Sequence, residues 1–344
     1  MKNPILKQVT LLMFKFLPLL GFFNVFFSPL GMLSYLVVIK TYRIKFSLFD
    51  TLFLLYIMAL LLVNILISDI AGTLTTFRFY FGFICFYLYF KSGAVFPAKG
   101  LFLALIILIP IEAFLINSLI SPYNMPNFPD KEMTSHFNPG GYQRPYSFGG
   151  NSSVSSSILV ILLSMLTISK ITKYAGIVCV FIFSSGSGLM SLMLLSFLKR
   201  IKIIAISSIF IIFFLVFFSG QILEVVDSLG LKVNSKYMLF LVDFKLKQLS
   251  EHFYGFTFIH YLFGNIDSIK DGYGGDFGWL FFVLGYGFVS FFLLTTFILS
   301  KATKSTLIPI LIALFATFHY PVIFFLPGQI LLGYLMARKY RAET

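Results

Sequence analysis

Apolar runs of about twenty residues recur along almost the whole sequence, and that recurrence leaves few folds open. As a helix, a run of that length is about 30 Å long, the thickness of bilayer hydrocarbon. In lipid every backbone polar group must be bonded inside its own segment, so helices are the expected outcome. Only 11% of the residues are charged, where soluble domains average about 25%. The expectation is an all-α polytopic membrane protein, a single integral membrane domain over residues 1–344. No stretch is long and polar enough to make a separate soluble domain.

Basic clusters set the expected topology. They are Lys2/Lys7, Lys40/Arg43/Lys45, Lys91/Lys99, Lys170/Lys173, Lys199/Arg200/Lys202, Lys301/Lys304 and Arg338/Lys339/Arg341. Placed together on the cytoplasmic side, they leave room for about 12 transmembrane helices with both termini cytoplasmic. The N-terminus begins like a signal peptide, but Lys15 interrupts its apolar region. It reads as an uncleaved first span. Clear spans fall at 49–67, 100–119 and 203–219, with returns at 77–90, 154–169 and 277–300. Three hairpins are cramped: 8–39, 174–198 and 305–337. The tightest, 174–198, turns at Ser184–Gly188, and a hairpin is preferred there over one span. Two large outer loops remain, 120–153 and 220–276. Within the second, 236–258 mixes apolar stretches with lysines, which suits a helix lying in the interface.

The net charge of +13 would suggest nucleic acid in a soluble protein. Here the positive-inside pattern accounts for it, so no nucleic-acid partner is implied. Cys85 and Cys179 both sit in apolar runs and read as packed thiols. No phosphate-binding Gly-Lys-Ser/Thr loop, His-x-x-x-His pair or Cys-x-x-Cys is found, so an ATPase, a zinc hydrolase and a redox protein are unsupported. No metal or other cofactor is called for.

Candidate chemistry concentrates in the outer loops. Loop 120–153 holds Arg144, the only arginine between Arg78 and Arg200. Pro145 biases it toward extended backbone, and guanidinium is a natural bidentate partner of phosphate. In loop 220–276, Lys236 is the best second phosphate ligand. Asp276, flanked by glycines, is a candidate general base or a helix N-cap. His319, at the outer turn of the last hairpin, is a second candidate base or a histidine satisfied at a proline turn. Arg78 stands near the outer end of its span and could also meet phosphate. His136 and His260 are weaker candidates.

The order of these parts resembles the bacterial O-antigen polymerase family and the related O-antigen ligases. The resembling pieces are NPGGYQRPYSFGGNSS before a span, FSSGSGLMSLMLL, LFGNIDSI, GGDFGWLFFVLGYGFVSFF and HYPVIFFLPGQILLGYL. The resemblance implies a multi-pass protein of the bacterial inner membrane whose two large loops are periplasmic. It implies a metal-independent glycosyltransferase that polymerises polyprenyl-diphosphate-linked oligosaccharide repeat units into O-antigen or capsule-like polysaccharide. Arg144 matches the arginine of the family's third outer loop. Asp276 falls where ligases tend to carry a histidine, which leans toward polymerase. The sequence departs from the family in having no arginine in its second outer loop, so Lys236 is a substitute by inference. An O-antigen ligase and a flippase for the same lipid-linked sugar are the alternatives. The partners implied are the lipid-linked substrate, membrane lipids and a chain-length regulator.

Overall fold

The computed structural model describes residues 46–118, 144–147, 150–199, 247, 250, 251, 253–269 and 277–338. These residues form eleven α-helices and one 3-10 turn, with no strand among them. In chain order they are α1 (Leu48–Ile67), α2 (Ile70–Phe81), α3 (Phe83–Lys91), α4 (Ala98–Ser118), α5 (Ser152–Met165), α6 (Lys170–Ile182) and α7 (Gly186–Lys199). After these come α8 (Phe258–Phe263), the turn Ile266–Ile269, α9 (Gly278–Ser300), α10 (Leu307–Ala316) and α11 (Leu326–Ala337). Of these, α1, α4 and α9 are long and apolar enough to cross a membrane.

Short polar residues ahead of apolar runs start the helices. Ser47 caps α1 in a reciprocal box with Asp50, Asp69 caps α2, Asn151 caps α5 and Ser169 caps α6. Each side chain takes a backbone N–H that the first turn leaves without a partner. The stretch 174–198 forms two helices, as expected, with the break at 183–185. The expected return at 77–90 begins earlier, at Ile70, because Asp69 supplies its cap. The expected hairpin at 8–39, the span at 203–219 and most of the interfacial helix at 236–258 lie outside the described residues.

The span at 277–300 is not one straight helix. Gly287 sits at φ 76°, ψ 171°, and breaks α9 into two pieces. The rings of Trp279 and Phe291 consequently meet at 5.0 Å, whereas a straight helix would separate those positions by about 18 Å. The folded-back first piece, α2 and the turn before α11 share an aromatic core. In it Phe282 stacks on Phe324 at 5.6 Å and Tyr80 meets Tyr286 edge-on at 5.6 Å. The second piece runs beside α1, where Phe53 stacks on Phe297 at 3.9 Å and Tyr56 hydrogen-bonds Ser290 at 2.6 Å.

One end of the bundle is marked by lysines. Asp50, in the first turn of α1, receives Lys91 Nζ on Oδ2 and Lys301 Nζ on Oδ1, each at 2.6 Å. Tyr87 donates to Oδ1 at 3.0 Å and the Ser47 N–H to Oδ2 at 2.9 Å. All three charged side chains are at least 95% buried. A carboxylate with four donors ties α1, α3 and the end of α9 together at this basic end.

Candidate functional site

Helix length positions the site. Measured from the basic end, α1 and α4 rise about 30 Å, whereas α5, α7, α10 and α11 rise only about 15–21 Å. The short helices are therefore about 10–15 Å shorter than the long ones, and a recess lies at their far ends, lined by Gly186, Ser187 and His319 among others.

Serines floor this recess. Ser185 donates to Ser153 Oγ at 2.9 Å and Ser187 to the Ser153 carbonyl at 3.0 Å. Ser157 meets Ser187 at 3.0 Å, and Ser153, Ser157, Ser185 and Ser187 are all buried. These contacts dock the α6–α7 turn onto the first turn of α5, with Gly188 packed directly on Ser156. Buried hydroxyls need such partners, and here they supply one another.

Segment 144–147 is held over this floor by two tethers. The Ser147 N–H donates to Glu112 Oε1 at 2.9 Å, and Ser155 Oγ donates to the Tyr146 carbonyl at 2.7 Å. Glu112 stands fourteen residues into α4, about 21 Å above the basic end. An acid at that depth inside an apolar helix is a functional candidate by default. In the sequence Glu112 is a lone acid within an apolar span, and nothing nearby assigns it a role. Its signal was the charge itself, but the partner lies across a long loop.

Arg144 is half-buried. Burial lowers its pKa, while Tyr320 and Tyr146 act in the opposite direction. It remains cationic, since guanidinium is not deprotonated in proteins. The coupling to Tyr320 links Arg144 to the turn that carries His319, whose ring lies 4.7 Å from that of Tyr320. His319 itself is exposed.

The end of the second loop reaches the same turn. The Phe277 N–H donates to the His319 carbonyl at 2.7 Å and Trp279 Nε1 to the Leu314 carbonyl at 2.8 Å. Asp276 and Lys236 lie outside the described residues. Arg78 is exposed on α2, and its link to the turn is through backbone. Buried Gln329 donates to the carbonyls of Phe79 and Phe324, both at 2.7 Å, and of Arg78 at 3.2 Å. His136 is outside the described residues. His260 accepts the Thr257 N–H at 3.3 Å, a capping role within α8.

Among the described residues, three non-glycine residues have positive φ: Ser147 at 50°, Ser184 at 46° and Phe277 at 65°. One sits in each of the three segments that meet at the recess. Left-handed backbone costs an L-residue about 1–2 kcal/mol, and such strain clusters where function fixes geometry. The recess is a cavity of about 300 Å³ lined by Gly186, Ser187, Met190, Phe315, Ala316, Phe318 and His319. Met190, Phe315 and Phe318 are exposed, so the cavity joins a polar end to an apolar outer wall. No group of three or more His, Cys, Asp or Glu side chains suited to a metal occurs among the described residues.

The site therefore offers a cation, an imidazole and a bed of hydroxyls, reached along an apolar wall. Compared with family models, characterised proteins and solved structures, the chain matches none.

Proposed function

We propose that this protein is a multi-pass inner-membrane polymerase that joins polyprenyl-diphosphate-linked oligosaccharide repeat units on the periplasmic face. The observation that carries the reading is the His319 turn, which lines a cavity, holds the entry to α9 through the Phe277 N–H and interacts electrostatically with Arg144 through Tyr320. A lipid-linked diphosphate is charged at one end and apolar at the other. A site for it needs a cation and a lipid-accessible wall: Arg144 interacts electrostatically with Tyr320, the neighbour of His319, which lines the cavity together with Met190, Phe315 and Phe318.

The reaction transfers the growing chain to the non-reducing end of an incoming unit. The bond from the anomeric carbon to the diphosphate oxygen breaks. A new bond forms to an acceptor hydroxyl oxygen, whose proton passes to a base. Arg144 holds the leaving diphosphate by bidentate, charge-assisted hydrogen bonds, with Lys236 and Arg78 as further cations. Asp276 and His319 are the bases proposed for the proton. The donor bond is already activated, so ATP has no part in this scheme.

The test is a replacement of Arg144 in cells lacking the native copy. Arg144→Ala should leave single repeat units on the lipid core, with membrane levels of the protein unchanged. Long chains persisting in that variant would remove Arg144 from the site. Asp276→Asn and His319→Ala, each assayed for chain length, identify the base. Loss of the protein should also separate polymerase from ligase, because a missing ligase leaves full-length polymer on the polyprenyl carrier.

A further inference from the structure

We infer that residues 253–263, near the end of the second long loop, form a finger that re-enters the bilayer and packs its apolar tip against lipid acyl chains. The inference is independent of the activity proposed above.

The finger is wedged into the break of α9. A Cβ at Gly264 would collide with the Gly285–Tyr286 peptide, and one at Gly287 with the Leu262–Phe263 peptide. The two backbones are thus in direct contact, which glycine alone permits. Both glycines also have positive φ, 81° and 76°, a conformation free of penalty for that residue. The break interrupts the i→i−4 ladder of α9, and the Leu284 carbonyl takes the Asn265 N–H at 2.7 Å. Non-helical backbone inside a bilayer is tolerated only when other protein groups satisfy it in this way.

Depth follows from two anchors. Gly287 precedes Lys301 by fourteen residues, about 21 Å above the basic end. Asp267 takes the Ser68 hydroxyl at 2.6 Å, and Ser68 closes α1 about 27 Å above Asp50. The finger joins α9 between those levels, inside a slab about 30 Å thick. Exposed Leu66 of α1 stands between those levels, and exposed Leu62 about 3 Å below them.

The finger's surface fits that surrounding. None of the six residues of α8 is buried, and Phe258 and Ile259 are 76% and 66% exposed. Phe253, Phe256 and Tyr261 pack on one another, with Phe253 and Tyr261 stacked at 5.5 Å. This cluster stiffens the finger from within and leaves its apolar tip turned outward. In water that tip would cost about 25 cal/mol per Å² of apolar surface; in acyl chains it costs nothing.

The experiment places a nitroxide on Ile259→Cys in the full chain, reconstituted in phosphatidylcholine vesicles. Its collision rates with oxygen and with a water-soluble nickel chelate are then compared. Native Cys85 and Cys179 are not exposed, so labelling favours position 259. Leu62→Cys serves as the lipid-facing standard and Lys304→Cys as the aqueous one. The expected result is an oxygen-to-nickel ratio at 259 equal to that at 62. A ratio equal to that at 304 would place the finger in water and overturn the proposal. Low collision rates with both probes would mean that other protein, such as a second copy or residues 201–246, covers the tip, and would overturn it too. Phe258→Cys provides the same readout should Ile259→Cys fail to fold.

Discussion

Replacing Asp50 with asparagine should destabilise the protein more than any exposed substitution at the same end. Asparagine keeps the shape of the side chain and an oxygen for the Tyr87 hydroxyl. It removes the charge on which Lys91 and Lys301 both converge at 2.6 Å. Those ammonium groups are about 95% buried, so they would be left facing a neutral amide in a poorly solvated site. Breaking a buried ion pair from one side costs about 3–5 kcal/mol. At about 2–4 °C per kcal/mol for a large domain, the unfolding temperature should fall by roughly 6–20 °C. The assay heats detergent-solubilised protein and measures the fraction that stays monodisperse. Lys301→Met should cost less, because Asp50 keeps Lys91, Tyr87 and Ser47. Replacing all three charges with apolar residues of similar volume should restore much of the loss, since such swaps are often close to neutral. An Asp50→Asn variant within about 2 °C of the native protein, well short of that 6–20 °C fall, would refute the assignment of a buried, charge-dependent tie.

Two further predictions concern the recess. Glu112→Ala removes the acceptor of the buried Ser147 N–H, a loss of about 1–3 kcal/mol, whereas Glu112→Gln keeps an oxygen there. Labelling of Arg144→Cys by a membrane-impermeant maleimide should therefore speed up with Glu112→Ala and stay unchanged with Glu112→Gln. Gly188→Ala would drive a methyl group into Ser156 and should cost about 1–3 kcal/mol as α5 and α7 are forced apart; thermal unfolding in detergent measures it, and no loss would mean the serine floor is loosely packed.

Much of the helical framework was legible because its signals are local. Ser47, Asn151 and Ser169 each precede an apolar run, and a cap followed by such a run is readable within a few residues; Asp69 precedes the mixed stretch 70–76, and the start of α2 is not legible there. The cramped spacing of 174–198 likewise yielded two helices. What was not legible depends on long-range pairing or on depth. Asp50 looked like one more residue at the start of a span, since nothing nearby marks Lys91 and Lys301 as its partners. Gly287 lies in an apolar stretch that reads as one continuous span, and only its contact with Gly264 explains the break. Ser147, Ser184 and Phe277 are residue types that ordinarily avoid positive φ, so composition argued against the backbone they adopt. Arg144 and His319 could be singled out by residue type, but the electrostatic link of Arg144 to Tyr320 beside His319 depends on long-range folding.

The two ends of the bundle are built on opposite principles. The basic end is over-determined: one carboxylate receives four donors, and aromatic rings surround the cations, with Lys301 Nζ 5.1 Å from the Phe297 centroid. The far end carries the left-handed residues, each costing about 1–2 kcal/mol, and a helix broken by a loop. Strained backbone persists only where its surroundings fix it more tightly than the strain can relax. Here the serine contacts, Gln329 and the Glu112 tether supply that constraint locally, while the ion-paired end keeps the helices in register beneath it. A recess with a fixed floor and a strained rim can hold polar side chains in place before anything binds there. That division also explains why the short helices can stop about 10–15 Å short of the long ones. Their far ends are secured by polar contacts with one another, so they need no further apolar length.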